Sequence, residues 1–225
     1  MDLLLDTADL AEVEHALQYY PIKGVTTNPT MLSRLEQTHV LSHLKAIRAL
    51  IGDERDLHVQ LMARDRETMI REAHHLATQL GEQTFIAVPV TEVGLSVIKQ
   101  LAQEGLNITA STVFSTIQGI LAMLSGARYV AVFYDRMLNL DIDAGRVIKE
   151  LAGLLWTNTS STQVLAASFR NVAEVTNAYA SGAGNCTVRP ELLSTGLAMP
   201  SIKKAVQDFA DDWKKVYGDK TLLEL

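Results

Sequence analysis

Short apolar runs recur along the whole chain, and each is typical of a buried β-strand. Their starting positions lie 21 to 35 residues apart, which leaves room for one helix and two short loops between successive strands. Several runs are almost continuously apolar, as expected for strands whose two faces are both buried. The eight runs span residues 3–6, 24–27, 57–61, 85–89, 107–111, 129–133, 164–168 and 186–188.

The segments between these runs show the spacing of amphipathic helices. Within 92–104, and again within 201–217, apolar residues recur every three or four positions and form one stripe. Glycines follow three helical stretches and precede strands, where helix C-caps are expected. These glycines are Gly105, Gly126 and Gly182.

Eight strands that alternate with helices predict an α/β protein with a (β/α)8 TIM barrel. We expect one barrel domain over residues 1–225, with a C-terminal helix at about 201–217. The length fits, because such barrels run to roughly 200–250 residues. An open doubly wound sheet is the alternative, but no G-x-G-x-x-G motif follows any of the strands.

The active site of such a barrel lies at the carboxyl ends of its strands. Asp6 ends the first strand and places a charge in an apolar run. It could cap the next helix, but Thr7 and Asp9 are also suitable caps. A carboxylate at the barrel mouth is a natural proton-relay group, so we expect Asp6 to be catalytic. Later strands end in polar residues that include Thr26, Gln60 and Ser111.

The string Gly24-Val25-Thr26-Thr27-Asn28-Pro29 is the most specific local motif. Pro29 holds Asn28 extended and suits the first turn of a helix. The string could therefore mark only the boundary between a strand and the helix that follows it. The functional interpretation places Thr26 and Asn28 at the substrate.

Four polar residues lie at the ends of strands 6, 7 and 8 or just beyond them, where barrels often bind phosphate. The planar fork of arginine suits the oxygens of a phosphate or a sulfonate. Each arginine taken singly could be a solvated surface residue, but their common location favours an anion site. The residues are Arg136, Ser168, Arg170 and Arg189.

Composition excludes several other classes of function. With 20 basic and 26 acidic residues the net charge is −6, which argues against non-specific binding of nucleic acid. Cys186 is the only cysteine, so neither an intramolecular disulfide nor a cysteine metal cluster is possible. His39 and His43 are four positions apart, but no third metal ligand is evident. No early basic segment and no apolar run of about 18 residues is present, which predicts a cytoplasmic protein without membrane contact.

These strings resemble the small transaldolase family, which includes fructose-6-phosphate aldolase. The resemblance covers nearly the whole chain, and GVTTNP after a first strand ending in LDT is its most specific part. Its strings are LDTADLAEV at 5–13, GVTTNPT at 24–30, VQLMA at 59–63, VPVTEVGLSVIKQLAQEG at 88–105, GARYVA at 126–131, VLAASFRN at 164–171 and DFADDW at 208–213.

The resemblance implies a (β/α)8 barrel with a Schiff-base lysine on strand 4. The protonated imine allows the C3–C4 bond of a ketose to break, and the dihydroxyacetone unit passes to an aldehyde such as glyceraldehyde 3-phosphate. In this chain Ala87 occupies the lysine position, and a methyl group cannot form an imine. We therefore expect this chain to be inactive, either as a lysine-to-alanine variant or as a natural non-catalytic homologue.

The resemblance also suggests roles for the residues at the strand ends. Asp6 would relay protons, while Gln60 and Ser111 would position the catalytic water. Thr26 and Asn28 would orient substrate hydroxyls. The anionic tail would be bound by Arg136 and Ser168, helped by Arg170 or Arg189.

Two departures from the family pattern bear on the substrate. Phe133 stands where the aldolases have a proton-donating tyrosine, which favours transfer over free aldol cleavage. Arg189 stands where the family has proline, which raises the possibility of a sulfonate tail, as in 6-deoxy-6-sulfofructose. We expect a transaldolase for a ketose 6-phosphate or 6-sulfonate that needs no cofactor or metal. The alternatives are an aldolase that releases free dihydroxyacetone and a non-catalytic sugar-phosphate-binding homologue.

The apolar stripe of 201–217 predicts a homo-oligomer. The resemblance implies pentameric rings that stack into decamers, with the C-terminal helix packed on a neighbouring subunit. The alternative is a helix that packs on its own barrel.

Overall fold

The chain forms a closed barrel of eight parallel strands. The computed structural model describes residues 1–35 and 39–225. The strands follow one another around the barrel in chain order, and the first pairs with the last. The (β/α)8 prediction is confirmed, and the open doubly wound sheet is wrong. The strands are β1 Asp2–Asp6, β2 Ile22–Thr26, β3 Asp56–Gln60, β4 Thr84–Pro89, β5 Asn107–Val113, β6 Tyr129–Phe133, β7 Gln163–Ala167 and β8 Asn185–Val188.

Helices alternate with the strands and cover the outside of the barrel. The segments predicted at 92–104 and 201–217 are both helical. The helices are α1 Leu10–Tyr19, α2 Pro29–Arg34, α3 Val40–Ile51, α4 Arg66–Leu80, α5 Glu92–Gln103, α6 Thr116–Leu124, α7 Tyr134–Leu138, α8 Ala144–Thr157, α9 Val172–Ala180, α10 Pro190–Leu197 and α11 Pro200–Tyr217.

Local sequence explains where several helices begin and end. Asp9 caps α1 by accepting a hydrogen bond from the backbone N–H of Glu12, so Asp6 is not needed as the cap. The three glycines predicted after helices have φ of 86°, 92° and 103°, which side chains with a Cβ rarely adopt. These positions follow α5, α6 and α9.

The interior of the barrel differs between its two ends. The lower part is filled by a cluster that includes Leu4, Phe85, Tyr129 and Leu165. Nearer the carboxyl ends of the strands, three inward positions on β4, β6 and β7 carry only methyl groups. Because these residues, Ala87, Ala131 and Ala167, leave space unfilled, the mouth of the barrel is hollow.

Helix α11 lies apart from this packed body. None of its 18 residues, all of which the structure describes, is buried. Its apolar side chains are largely open to solvent; the exposed fraction is 63 % for Val206 and 73 % for Phe209. The alternative in which this helix packs on its own barrel is therefore not what the structure shows. Over the described ranges, no helix is both long and apolar enough to cross a membrane.

Candidate active site

A cavity of about 610 Å³, including its open mouth, lies at the carboxyl ends of the strands. It is where a (β/α)8 barrel is expected to carry its active site. Nine of the eleven predicted site residues line it, although they come from seven different strands or the segments that follow them. These nine are Asp6, Thr26, Asn28, Gln60, Ala87, Ser111, Phe133, Arg136 and Ser168.

The other two predicted residues lie outside this cavity. Arg170 and Arg189 line a groove on its rim, which Asp6 and Arg136 also line. The Nε of Arg170 is 3.3 Å from Oδ1 of Asp135, so part of its charge is already compensated. Arg189 donates a long hydrogen bond of 3.4 Å to the carbonyl oxygen of Phe169.

Asp6 ends a chain of buried hydroxyl groups. The hydroxyls of Thr187 and Thr26 are 2.7 Å apart, and Thr26 donates to Oδ1 of Asp6 over 3.1 Å. Burial of the carboxyl raises the pKa of Asp6 from 3.8 to about 6, although Arg189 and Arg136 partly offset this effect. A carboxyl with a pKa near neutrality can both accept and donate a proton, which suits acid–base chemistry.

Replacing Asp6 by asparagine should stabilise the folded protein at pH 8. The pKa of Asp6 is raised on folding, so the folded protein must carry an unfavourable buried carboxylate above pH 6. Near pH 4 the carboxyl is protonated in the folded protein, and this destabilisation is lost. The full difference corresponds to about 3 kcal/mol, and partial solvent contact lowers the expected gain to about 1–2 kcal/mol. Asparagine retains the oxygen that accepts the hydrogen bond from Thr26.

Urea unfolding of Asp6→Asn between pH 4 and pH 8 measures this effect. The gain in the free energy of unfolding should appear above pH 6 and fade as the pH falls towards 4. Asp53→Asn, which changes an exposed carboxylate far from the cavity, is the control. A gain for Asp6→Asn that stays constant across this range would contradict the argument.

Ala87 lies in the wall of the cavity, where the resemblance implies a lysine. Its exposed fraction is 6 %, and it is paired in register with Gln60 on β3 and Thr109 on β5. No lysine is among the residues that line the cavity. Lys23 lies near Asp56 at the other end of the barrel, with its Nζ 3.9 Å from Oδ1, and cannot substitute for the missing amine.

The side of the cavity formed by β6 and β7 is suited to an anion. The guanidinium carbon of Arg136 lies 4.9 Å from the ring centre of Phe133, which holds the side chain over the mouth by a cation–π contact. Ser168 has φ of 63°, an uncommon backbone conformation for serine. Its carbonyl oxygen accepts from the backbone N–H of Asp135, just after β6, so the two strand ends are tied together. Such backbone strain is frequent at functional sites.

Asn28 serves the helix as well as the cavity. Its side-chain oxygen accepts a hydrogen bond of 3.0 Å from the backbone N–H of Met31, and Pro29 opens helix α2. The motif therefore does mark the change from strand β2 to helix α2, as one of its two interpretations predicts. Asn28 also lines the cavity.

The sequence profile of the family described as Transaldolase/Fructose-6-phosphate aldolase matches residues 3–220. The chain belongs to this family. A curated relative from Streptococcus pneumoniae, named probable fructose-6-phosphate aldolase, is 42 % identical over 222 residues. That match covers 99 % of this chain and 100 % of the relative.

Solved structures with distant sequences share the fold. A designed cube-shaped protein cage matches with a TM-score of 0.60 and 13 % identity, covering 96 % of this chain and 78 % of the other. A structure titled "Native KDPGal structure" matches with a TM-score of 0.57 and 14 % identity, covering 83 % and 80 %. At these identities the likeness shows the fold alone.

Some residues that line the cavity were not predicted from the sequence. His58 and Thr109 also line it, and neither was singled out as a candidate. The alternation along β3 could have found His58, because a residue two positions before an inward Gln60 also points inward. Arg34 on α2 lines the rim groove and was missed as well, since a helix that follows a strand end gives no such periodic signal.

Proposed function

We propose that this chain binds an open-chain ketose 6-phosphate or 6-sulfonate without forming a Schiff base. The observation that carries the proposal is the position of Ala87 inside a cavity whose other polar residues suit a sugar. The family to which the chain belongs supports a substrate of this class. A form of the chain with lysine at position 87 would be a transaldolase, and the proposal needs neither a metal nor a cofactor.

In the proposed complex, the anionic end of the ligand lies at Arg136 and Ser168. Arginine binds phosphate or sulfonate oxygens with two parallel hydrogen bonds. Arg189 and Arg170, on the rim, would add positive charge and help to distinguish the two tails. The carbon chain then extends into the cavity, where Thr26 and the amide of Asn28 orient its hydroxyl groups.

With lysine at position 87, the remaining residues would complete a transfer reaction. The lysine amine adds to the C2 carbonyl, and water leaves with a proton supplied by Asp6, which gives a protonated imine. Asp6 then takes the proton of the C4 hydroxyl as the C3–C4 bond breaks; the electron pair of that bond forms an enamine, and carbons 4 to 6 leave as an aldehyde. The enamine attacks the carbonyl carbon of an acceptor aldehyde, whose oxygen receives a proton from Asp6. Gln60 and Ser111 would hold the water that hydrolyses the new protonated imine, which releases the product ketose and the lysine amine and returns the proton to Asp6.

The second candidate is a fructose-6-phosphate aldolase, which would release free dihydroxyacetone. The name of the curated relative favours it. Phe133 favours transfer, because its ring has no hydroxyl that could protonate the lysine-bound enamine, a step that must precede release of dihydroxyacetone. A lysine-containing variant given only fructose 6-phosphate would accumulate free dihydroxyacetone if it were an aldolase.

Calorimetric titration of this chain with fructose 6-phosphate and with 6-deoxy-6-sulfofructose tests the proposal. We expect saturable binding of at least one ligand, with no dihydroxyacetone released and no adduct trapped by borohydride. Failure of both ligands to bind to a folded sample would contradict the proposal.

We also propose that the chain forms a homo-oligomer through α11, in pentameric or decameric assemblies. The support is the apolar face of this helix, on which Ile202, Val206 and Phe209 are 45 %, 63 % and 73 % exposed. Monomeric proteins rarely expose a continuous apolar surface of this kind. Its spacing of three and four residues suits helix packing against a second subunit.

Removing the chain after Pro200 should lower the molar mass of the assembly measured by light scattering. The barrel should remain folded, because no residue of α11 is buried against it. The matched control is the full chain with Lys203→Ala, which changes an exposed charge on the same helix. An assembly of unchanged size after truncation would remove α11 from the interface.

A further inference from the structure

His58 and Thr109 line the deep end of the cavity and are hydrogen-bonded to each other. Each side chain is only 2 % exposed, and Nδ1 of His58 is 2.8 Å from the hydroxyl oxygen of Thr109. The imidazole stacks on Phe85, with ring centres 4.7 Å apart and planes at 14°. Tyr129 packs against it at 5.2 Å. These contacts hold the imidazole ring in one orientation.

The second nitrogen of this ring has no partner among the described residues. Nε2 of His58 is buried without a hydrogen bond, and so is the hydroxyl oxygen of Ser111, which lines the same cavity. Buried polar atoms are almost always hydrogen-bonded, because an unmade bond costs about 1–3 kcal/mol. Two such atoms in residues that line one cavity indicate that a polar molecule binds in it.

The partner of Nδ1 determines what Nε2 can offer. Burial lowers the pKa of His58 to about 3, so the ring is neutral at neutral pH and carries a single N–H. If the Thr109 hydroxyl donates to Nδ1, the ring proton is on Nε2. In the opposite arrangement the hydroxyl proton of Thr109 would have no acceptor among the described residues, so the first arrangement is favoured.

The small side chain at position 87 leaves space in the cavity that His58 also lines. The register places Ala87 between Gln60 on β3 and Thr109 on β5, and these three residues line the cavity together with His58. A lysine side chain would occupy that space. A sugar held at its anionic end by Arg136 can therefore extend its carbonyl end past Ala87 towards His58.

We propose that Nε2–H of His58 donates a hydrogen bond to the C2 oxygen of a ketose bound without covalent attachment. Thr109 is the positioning residue that fixes the ring proton on Nε2. The inference rests on the proposed function, because the ligand's orientation follows from the anion site. It names a recognition contact that takes the place of the missing imine, and it selects sugars that carry oxygen at C2.

Three probes that differ only at C2 test this contact by calorimetry. Fructose 6-phosphate has a C2 carbonyl, glucitol 6-phosphate has a hydroxyl there, and 2-deoxyglucitol 6-phosphate has no oxygen there. His58→Phe keeps an aromatic ring against Phe85 and removes the donor. It should weaken binding of the first two probes by about 5- to 10-fold and leave the third unchanged, since one neutral hydrogen bond is lost.

Two further variants keep the test informative. His58→Gln retains an N–H donor, so it should restore part of the affinity and guards against a folding defect in His58→Phe. Tyr179→Phe is the matched control, because its hydroxyl donates to the carbonyl oxygen of Asp2 at the start of β1, away from the cavity, and should not affect the ligand. Thermal unfolding checks that each variant is folded.

The outcomes separate this inference from the proposed function. If the parent chain binds no sugar phosphate, the proposed function fails. If it binds and Arg136→Ala weakens binding while His58→Phe does not, the histidine holds only a buried water and the inference is overturned. Equal losses for all three probes would also overturn it, because they would show a general packing effect.

Discussion

Ala87→Lys should allow fructose 6-phosphate to form an imine at position 87 that borohydride reduces to a stable adduct. The parent chain should form no such adduct. The new amine would lie at a site that is 6 % exposed, beside Gln60. Burial disfavours the ammonium form and lowers the pKa of the new lysine, which supplies the free amine that attacks a carbonyl. We expect the mass spectrum to shift from background labelling to a single reduced adduct on most chains.

Ala131→Lys is the matched control for this gain. Ala131 lines the same cavity from β6 and is 5 % exposed, so it offers a similarly buried amine in a different direction. A reacting group misplaced by an ångström or more reacts about 100-fold more slowly, and we expect adduct formation to fall by that order. Equal labelling of the two variants would show non-specific reactivity of buried amines and would count against position 87 as the Schiff-base site.

Arg136→Ala should weaken binding of fructose 6-phosphate by about 10- to 100-fold. A hydrogen bond between charged groups contributes roughly 1.5–3 kcal/mol, which corresponds to that range of affinity. Binding of unphosphorylated fructose should change little, because it has no anionic tail. Calorimetric titration of both sugars measures the difference between them.

The arginines on the rim provide the companion measurement. Arg189→Ala should reduce the affinity for 6-deoxy-6-sulfofructose more than that for fructose 6-phosphate, if Arg189 distinguishes the two tails. Arg146→Ala is the control; this residue is exposed on α8 and pairs with Glu150. Losses of the same size for charged and neutral sugars would mean that Arg136 supports the fold and does not bind the anion.

The order of strands and helices could be predicted from the sequence because it depends on the local periodicity of apolar residues. Eight apolar runs at intervals of 21 to 35 residues matched eight strands to within two residues at each start. The glycines at 105, 126 and 182 were readable for a similar local reason, since a positive φ favours glycine. Local patterns carry this information because strand burial and helix capping depend on near neighbours.

Much of the cavity was also predictable, because the carboxyl ends of parallel strands converge in a closed barrel. That rule brought residues as distant as Asp6 and Ser168 to one cavity. Arg170 and Arg189 follow strands in the same way, yet they lie on the rim. Whether such a residue lies in the cavity or on the rim depends on the direction of its side chain and, for Arg170, on its ion pair with Asp135. Neither can be predicted from the spacing of residues along the chain.

The sequence by itself determined the barrel, most of the strand-end residues and the absence of a lysine at position 87. Only the tertiary structure decided which buried polar groups have partners. Nδ1 of His58 is bonded to Thr109, 51 positions away, whereas Nε2 has no partner beside the cavity. It also decided that burial raises the pKa of Asp6 and that α11 leaves its apolar face exposed. These properties arise from distances between residues far apart in the chain, which no local pattern contains.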